Sequence, residues 1–289
     1  MSRIHRILFP TDLSESSGWA YAYAARLAAK FSAELYALHV RLPSHGNRHA
    51  ETPPVMEGDE FCLPLVEGLT ETVEEVDAAS VPRAIVRYAE GHDVDLIVMG
   101  ARGRSGADLP DLGHVAEAVV RYASCPVLTV RDRMRSTGLR RILVPVDFSE
   151  PCRTAVTQAR WVAAWFGAQL DLLHVVPDAG RRAHVPRCAE AIQARLFRFA
   201  VAAAGPDVVM VAHVGTGEPA EEIVAHVERL HADLIVMGTR GEERERGEMG
   251  SVAEAVVHAA PCPVLAVKER AHKVPAEPKA VARPFPVAG

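Results

Sequence analysis

Short apolar runs of strand length alternate along the chain with longer stretches whose apolar positions recur at helical spacing, and the alternation is written twice. Arg6–Phe9 reads as a strand broken at its carboxyl end by Pro10-Thr11-Asp12. Ser14, Ser16 and Ser17 offer hydroxyls to cap the alanine-rich helix Gly18–Phe31. Leu35–Val40 follows as a second strand, and strand, helix, strand of this length predict a right-handed parallel crossover. Residues 41–71 carry four prolines and little periodicity, which predicts a long loop with one weak helix over Phe61–Leu69. Thr72–Ala78 reads as a third strand, Pro82–Glu90 as a helix and Asp95–Gly100 as a buried central strand. Helix Val115–Ala123 and strand Pro126–Val130 close the half.

The second half repeats this order. RILFPTDLSE at Arg6–Glu15 returns as RILVPVDFSE at Arg141–Glu150, DLIVMGARG at Asp95–Gly103 as DLIVMGTRG at Asp233–Gly241, and CPVL at Cys125 as CPVL at Cys262. Strands are expected at Arg141–Val146, Leu170–Val176, Val208–Val214, Asp233–Met237 and Pro263–Val267. Helices are expected at Cys152–Phe166, Arg187–Ala204, Pro219–Leu230 and Val252–Ala259. The chain is therefore a tandem duplication with an α/β fold: two doubly wound, parallel, five-stranded sheets flanked by helices. The expected domains are 1–134 and 139–270, with a polar linker over Arg131–Leu139. The proline- and alanine-rich tail from Ala271 is expected to be a flexible appendage. Pairing of the last strands, Pro126–Val130 and Pro263–Val267, would make the chain an internal pseudo-dimer, monomeric or paired again as a homodimer.

Composition narrows the function. A length of 289 residues suits two domains, and a formal charge of −5 with pI near 6.2 disfavours nucleic acid and anionic membrane surfaces as partners. No apolar run approaches the about 20 residues of a membrane helix, and the first residues lack a signal peptide's layout, so a cytoplasmic location is expected. The cysteines, Cys62, Cys125, Cys152, Cys188 and Cys262, are odd in number and without metal spacing. Cys125 and Cys262 read as buried small hydrophobes.

Open α/β sheets bind ligands at the carboxyl ends of their strands, where strand order reverses. That places a crevice between the ends of strands one and four in each half. A nucleotide there needs a carboxylate for ribose, exposed backbone for the base, and a glycine-rich helix start for phosphates. Asp12, Val40 and the loop Gly100–Gly113 into the Val115 helix offer these in the first half. Asp147, Val175 and the loop Gly238–Ser251 into the Val252 helix offer them in the second.

In these motifs both halves resemble universal stress protein domains, over nearly the whole chain except the tail and, loosely, residues 41–71. The resemblance implies an adenine nucleotide alpha hydrolase-like fold, roles in stress survival without a common reaction, and frequent dimerisation through the last strand. It also implies binding of ATP or a related adenine nucleotide, with Mg as a companion. ATP-binding members carry Gly, two residues, Gly, nine residues, then Gly-Ser or Gly-Thr. In the first half Gly100, Gly103 and Gly113 keep this spacing, but His114 replaces the hydroxyl, while Arg102 and Arg104 favour anions. In the second, Gly250-Ser251 keeps the hydroxyl, but only eight residues separate Gly241 from Gly250. Among those, Glu242, Glu243, Glu245 and Glu248 oppose a phosphate. The candidate ligand residues are Pro10, Thr11, Asp12, Val40, Gly100, Arg102, Gly103, Gly113, His114 and Val115. Their counterparts are Pro145, Val146, Asp147, Val175, Gly238, Arg240, Gly241, Gly250, Ser251 and Val252.

Each feature has a plainer reading. Asp12 and Asp147 are ribose or metal ligands, or N-caps of the next helix. His39 and His174 read as satisfied crevice histidines rather than zinc ligands, and His45 and His49 fall in loop-like sequence. Asp95 and Asp233 simply begin the central strand, and Glu117 and Glu254 are exposed helix residues. No repeated motif ties a nucleophile to a base, which leaves Cys152, Cys188 and Ser251 without catalytic partners. Two readings of function follow from different classes: a nucleotide-responsive regulator seen by protein partners, and a nucleotide-free interaction scaffold with decayed crevices. A slow ATPase is a third.

Overall fold

The computed structural model describes residues 4–42, 71–102, 112–131, 138–177, 185–204, 208–239 and 249–268. The first half runs β1 (Arg6–Thr11), α1 (Glu15–Phe31), β2 (Glu34–Arg41), β3 (Glu71–Asp77), α2 (Val81–Gly91), β4 (Leu96–Gly100), α3 (His114–Tyr122) and β5 (Val127–Val130). The second runs β6 (Arg141–Pro145), α4 (Glu150–Phe166), β7 (Gln169–Val176), α5 (Val185–Ala204), β8 (Met210–Thr216), α6 (Pro219–Leu230), β9 (Leu234–Gly238), α7 (Ser251–Ala259) and β10 (Val264–Val267). The weak helix expected at Phe61–Leu69, the flexibility expected of the tail, and His45, His49 and Cys62 all lie outside the described residues.

The elements differ from the sequence reading mainly at their ends, each for a local reason. β1 continues through Pro10 and Thr11 because both stay in parallel register with β2, opposite Leu38 and His39. Near a strand's end a proline forfeits little of the ladder. α1 starts at Glu15 rather than Gly18, and α4 at Glu150 rather than Cys152. Ser14 and Ser149 accept the backbone N–H groups of Ser17 and Cys152 and fix the first turn. The strand expected at Val208–Val214 slides to Met210–Thr216, because its ladder with β7 runs from Leu170↔Met210 to Val176↔Thr216. Val209 is left outside the strand and 68% exposed.

The strand order is β3-β2-β1-β4-β5-β10-β9-β6-β7-β8 in one continuous sheet. Within each half all pairs are parallel, and strand order reverses between β1 and β4 and between β6 and β9. The halves join where β5 and β10 pair antiparallel, Leu128 opposite Leu265. This is the pairing of last strands that makes the chain an internal pseudo-dimer. Alternate strand residues feed two cores, as the period of two dictates. Ile7, Phe9, Leu96 and Val98 pack with α1, α4 and α5 on one face, whereas Leu8, Ile97 and Met99 pack with α2, α3, α6 and α7 on the other. Each core contains residues of both halves. Phe31 meets Trp165 at 4.3 Å between ring centroids, tying α1 to α4.

The junction is reinforced by reciprocal caps. Arg131, just past β5, donates to the carbonyls of Val257 and His258 at the end of α7, while Lys268, just past β10, donates to the carbonyl of Arg121 at the end of α3. Cations at helix carboxyl ends satisfy orphan carbonyls and complement the dipole. Arg121 also bonds Glu117 at 2.8 Å and lies 3.6 Å from Glu254 of the other half. Glu117 and Glu254 are thus half-buried junction residues, not the exposed helix residues the sequence suggested, because α3 and α7 converge beside the paired strands.

The halves diverge at one set of equivalent positions. The first carries Tyr36, Glu74 and Tyr88, with Tyr88 stacked on His92 at 3.9 Å. The second carries Asp171, His213 and His226. Asp171 is fully buried and receives Arg141 bidentately at 3.0 and 2.8 Å, Gln169 at 3.0 Å and His213 at 2.9 Å. Burial alone would raise its carboxyl, but the hydrogen bonds from Arg141, His213 and Gln169 outweigh burial and hold it below the ordinary value. Burial depresses His226, whose Nδ1 lies 2.9 Å from the Glu222 carbonyl and whose Nε2 meets Arg229, an arrangement that suits a neutral ring.

A depressed histidine pKa means the unfolded chain binds the proton more readily. The stability contributed by neutral His226 is therefore present above its ordinary value of 6.5 and lost as pH falls below it. Urea midpoints measured between about pH 7.5 and about pH 5.5 are expected to fall less steeply for His226→Gln than for the parent chain. Equal slopes would refute the assignment.

Candidate functional site

The carboxyl ends of β1 and β4, and of β6 and β9, bring the sequence-predicted residues to one edge of the sheet. Asp12 follows the last residue of β1, and its Oδ1 accepts from the backbone N–H and hydroxyl of Ser14 at 3.1 and 2.6 Å. Asp147 does the same with Ser149, at 3.0 and 2.6 Å. The aspartates are therefore not the N-caps, which are Ser14 and Ser149; each closes a turn just ahead of the cap. The intervening residues, Leu13 and Phe148, have φ of 61° and 67°. A left-handed conformation costs a non-glycine residue on the order of 1–3 kcal/mol and persists only where the surroundings fix it.

In the first half Thr11 helps, accepting the N–H of Leu13 at 3.0 Å. The second half uses packing instead: Phe148 stacks under the Arg195 guanidinium at 3.9 Å, and against His174 and Phe199 at 4.7 and 5.6 Å. The second support is not legible in the sequence, since Arg195 comes from α5.

His39 and His174 are satisfied as expected, their Nδ1 atoms 2.9 and 2.7 Å from the carbonyls of Thr11 and Val146. They tie the ends of adjacent strands together where Val40 and Val175 stand half-buried. Among the described residues no group of three or more His, Cys, Asp or Glu is placed to hold a metal ion.

The glycine loops leave and return at equivalent points. Gly100 and Gly238 end the central strands. The carbonyls of the next residues, Ala101 and Thr239, accept the N–H of Gly113 and Gly250, both at 2.8 Å. Gly113 and Gly250 are then the N-caps of α3 and α7, with φ, ψ of −67°, 141° and −67°, 142°. Lacking side chains, they cannot cap, unlike Ser14 and Ser149, so the first-turn N–H groups point beyond the helix. His114 and Ser251 are exposed as first helical residues, with Val115 and Val252 half-buried behind them. Arg102 is half-buried at the start of the loop, while Gly103, Arg104, Arg240, Gly241 and Glu242 to Glu248 lie outside the described residues.

This duplicated geometry has counterparts. The Universal stress protein family model matches residues 3–131 and again 138–268. The chain belongs to the universal stress protein family. A universal stress protein of Mycolicibacterium smegmatis is 28% identical over 91% of this chain and 97% of its own. One of Methanocaldococcus jannaschii is 35% identical over 44% of this chain and 81% of its own. The crystal structure of a universal stress protein from Archaeoglobus fulgidus superposes with a TM-score of 0.63 at 26% identity, covering 92% of this chain and 97% of that one.

Two features of this universal stress protein tandem escaped the sequence reading. Asp95 and Asp233 do not begin the central strands but stand just before them. Asp95 accepts the backbone N–H of His5 and Arg6 at 2.7 and 3.1 Å, and Asp233 those of Arg140 and Arg141 at 2.8 and 3.0 Å. They clamp the starts of β1 and β6 at the sheet edge opposite the crevices, so their repetition serves the fold. Cys152, second, is buried at the start of α4. Burial and then the nearby Asp147 carboxylate push its thiol up to about 12, which removes it as a nucleophile at neutral pH.

Ser149 both caps α4 and anchors Asp147 while buried. Ser149→Ala is expected to destabilise the chain by about 1–2 kcal/mol. Urea denaturation checks this, and an unchanged midpoint would show the cap to be dispensable.

Proposed function

We propose that this chain is a cytoplasmic stress-response protein that binds ATP or a related adenine nucleotide in one or both crevices, with Mg as a companion ion, and signals occupancy to protein partners. The observation that carries the reading is the uncapped glycine start of α3 and α7, set beside an aspartate turn at the point where strand order reverses. Two such helix starts, each without a side-chain cap and with a loop whose ends are pinned, suit an anionic phosphate chain. Asp12 and Asp147 would take the ribose, through the carboxylate of a turn already held by serine. The backbone at Val40 and Val175 would meet the base. Gly100, Arg102, Gly103, Gly113, His114 and Val115 in one half, and Gly238, Arg240, Gly241, Gly250, Ser251 and Val252 in the other, would take the phosphates. Pro10, Thr11, Pro145 and Val146 would line the strand ends. Cys125, Cys152 and Cys262 are buried thiols rather than disulfides, in keeping with a reducing compartment. Among the described residues no helix is long and apolar enough to cross a membrane.

Titration of nucleotide-free protein with Mg-ATP by calorimetry tests the reading, together with mass spectrometry of any ligand released on denaturing freshly purified protein. Saturable heat or a co-purified adenine nucleotide is the expected result. No heat and no thermal shift at millimolar ligand would overturn it, in favour of the scaffold reading that the glutamates between Gly241 and Gly250 support. Steady phosphate release abolished by Asp12→Ala or Asp147→Ala would instead identify an ATPase.

The first crevice has the family loop length but His114 at the hydroxyl position. His114→Ser is expected to tighten Mg-ATP binding about tenfold, the worth of a hydrogen bond to a charged group. Calorimetry in an Asp147→Ala background isolates that crevice, and unaltered affinity would show that His114 is no obstacle.

A further inference from the structure

The left-handed residue beside each aspartate is held differently in the two halves, and in the second half the support comes from outside the crevice. Phe148, φ 67°, sits between Asp147 and the N-cap Ser149. One face of its ring carries the guanidinium of Arg195 at 3.9 Å, Phe199 meets it edge-on at 89°, and His174, itself bonded to the Val146 carbonyl, approaches at 4.7 Å. Arg153 lies over Phe199 at 4.8 Å and pairs with Glu150 at 3.0 Å, which links α4 to the same stack. Arg195 itself is exposed and covers the ring from solvent.

We infer that Arg195 is a positioning residue for the second crevice: by stacking on Phe148 it holds the strained turn that presents the Asp147 carboxylate. This inference deepens the nucleotide reading and rests on it for the ligand, but the positioning itself is a property of the ligand-free chain. A planar guanidinium over an aromatic face is attracted to the ring's quadrupole and stacks flat, which an ammonium does not. Since a left-handed Phe persists only when its surroundings over-determine it, removing the stack lets the turn relax toward ordinary backbone. Ser149 then loses the Asp147 Oδ1 acceptor of its backbone N–H, and the carboxylate leaves its place at the end of β6. The first half achieves the same turn at Leu13 through Thr11, so its crevice does not depend on Arg195.

The test reads the turn and the binding separately. In nucleotide-free protein, Arg195→Ala is expected to speed hydrogen exchange of the Ser149 amide by about threefold to about tenfold, with Arg195→Lys falling between. In an Asp12→Ala chain, which leaves only the second crevice, Arg195→Ala is expected to weaken Mg-ATP binding by a similar factor. Glycine tolerates a positive φ, so in a Phe148→Gly background the turn no longer needs the stack, and Arg195→Ala should then change neither readout. Unaltered exchange at Ser149, or an equal effect of Arg195→Ala with and without Phe148, would overturn the inference. Faster exchange in a chain that binds no Mg-ATP at all would uphold the positioning role and overturn the nucleotide reading instead.

Discussion

The pairing of β5 with β10 is the contact on which the rest of the molecule depends. Those strands would each be a bare, largely apolar edge if the halves stood apart, and such edges aggregate. Pairing them buries Val127, Leu128, Val264 and Leu265 and turns two small sheets into one. It also makes both cores continuous from one half to the other, so the duplicated chain packs as a unit. The caps from Arg131 and Lys268 follow from the same geometry, since each cation leaves its strand where the other half's helix ends. Leu112, just before the glycine start of α3, donates its N–H to His258 of the other half at 3.4 Å. The two helices that start at glycine are therefore neighbours across the junction rather than independent appendages.

Duplication sets backbone positions more firmly than it sets side chains. The pinned loops, the aspartate turns, the left-handed residues and the Asp95 and Asp233 clamps recur almost atom for atom. Besides the support of the left-handed residue and the residue at each glycine helix start, the halves differ at one set of half-buried and buried polar groups. Tyr36, Glu74 and Tyr88 occupy places that Asp171, His213 and His226 hold in the second half. Burial, in the field of the Glu74 carboxylate, keeps the phenol of Tyr88 protonated far above neutrality, so Tyr88 is no charge switch near pH 7. The second set trades it for a bidentate ion pair and a neutral histidine. A buried carboxylate is tolerable only with all its acceptors occupied, and Arg141, Gln169 and His213 supply that.

The fold was legible because its central strands are buried on both faces and read as apolar runs, repeated with their flanking prolines and glycines. β8 was the strand least well placed. Its sequence stays apolar back to Val208, and only the ladder with β7 decides where pairing starts. The glycine spacing and the aspartates were also legible, since both are local patterns. What the sequence hid depends on contacts distant along the chain. Asp95 reaches His5 and Arg6, Asp171 gathers partners from three strands, and Arg195 comes from α5 to cover Phe148. Glu117 and Glu254 looked like surface residues because nothing local announces a helix end that another half will cover.

The two glycine loops differ by one residue in length, and residues 101–112 carry two arginines and two aspartates where 239–249 carry three arginines and four glutamates, yet Gly113 and Gly250 return to equivalent carbonyls at the same distance. The deletion therefore does not shift the start of α7 relative to β9, and loop length by itself is no argument for a collapsed second crevice. What remains is chemistry. An exposed His114 adds bulk and removes a hydroxyl at one helix start, while Ser251 keeps the hydroxyl at the other behind a run of glutamates. Charges held in solvent are screened over about 8 Å at physiological salt, so glutamates cost a phosphate little unless they stand against it. A misplaced group in the first turn of a helix acts at contact distance and is not screened. On that physical ground the second crevice, with its serine in place and its aspartate turn stacked under Arg195, is at least as well built for an anion as the first.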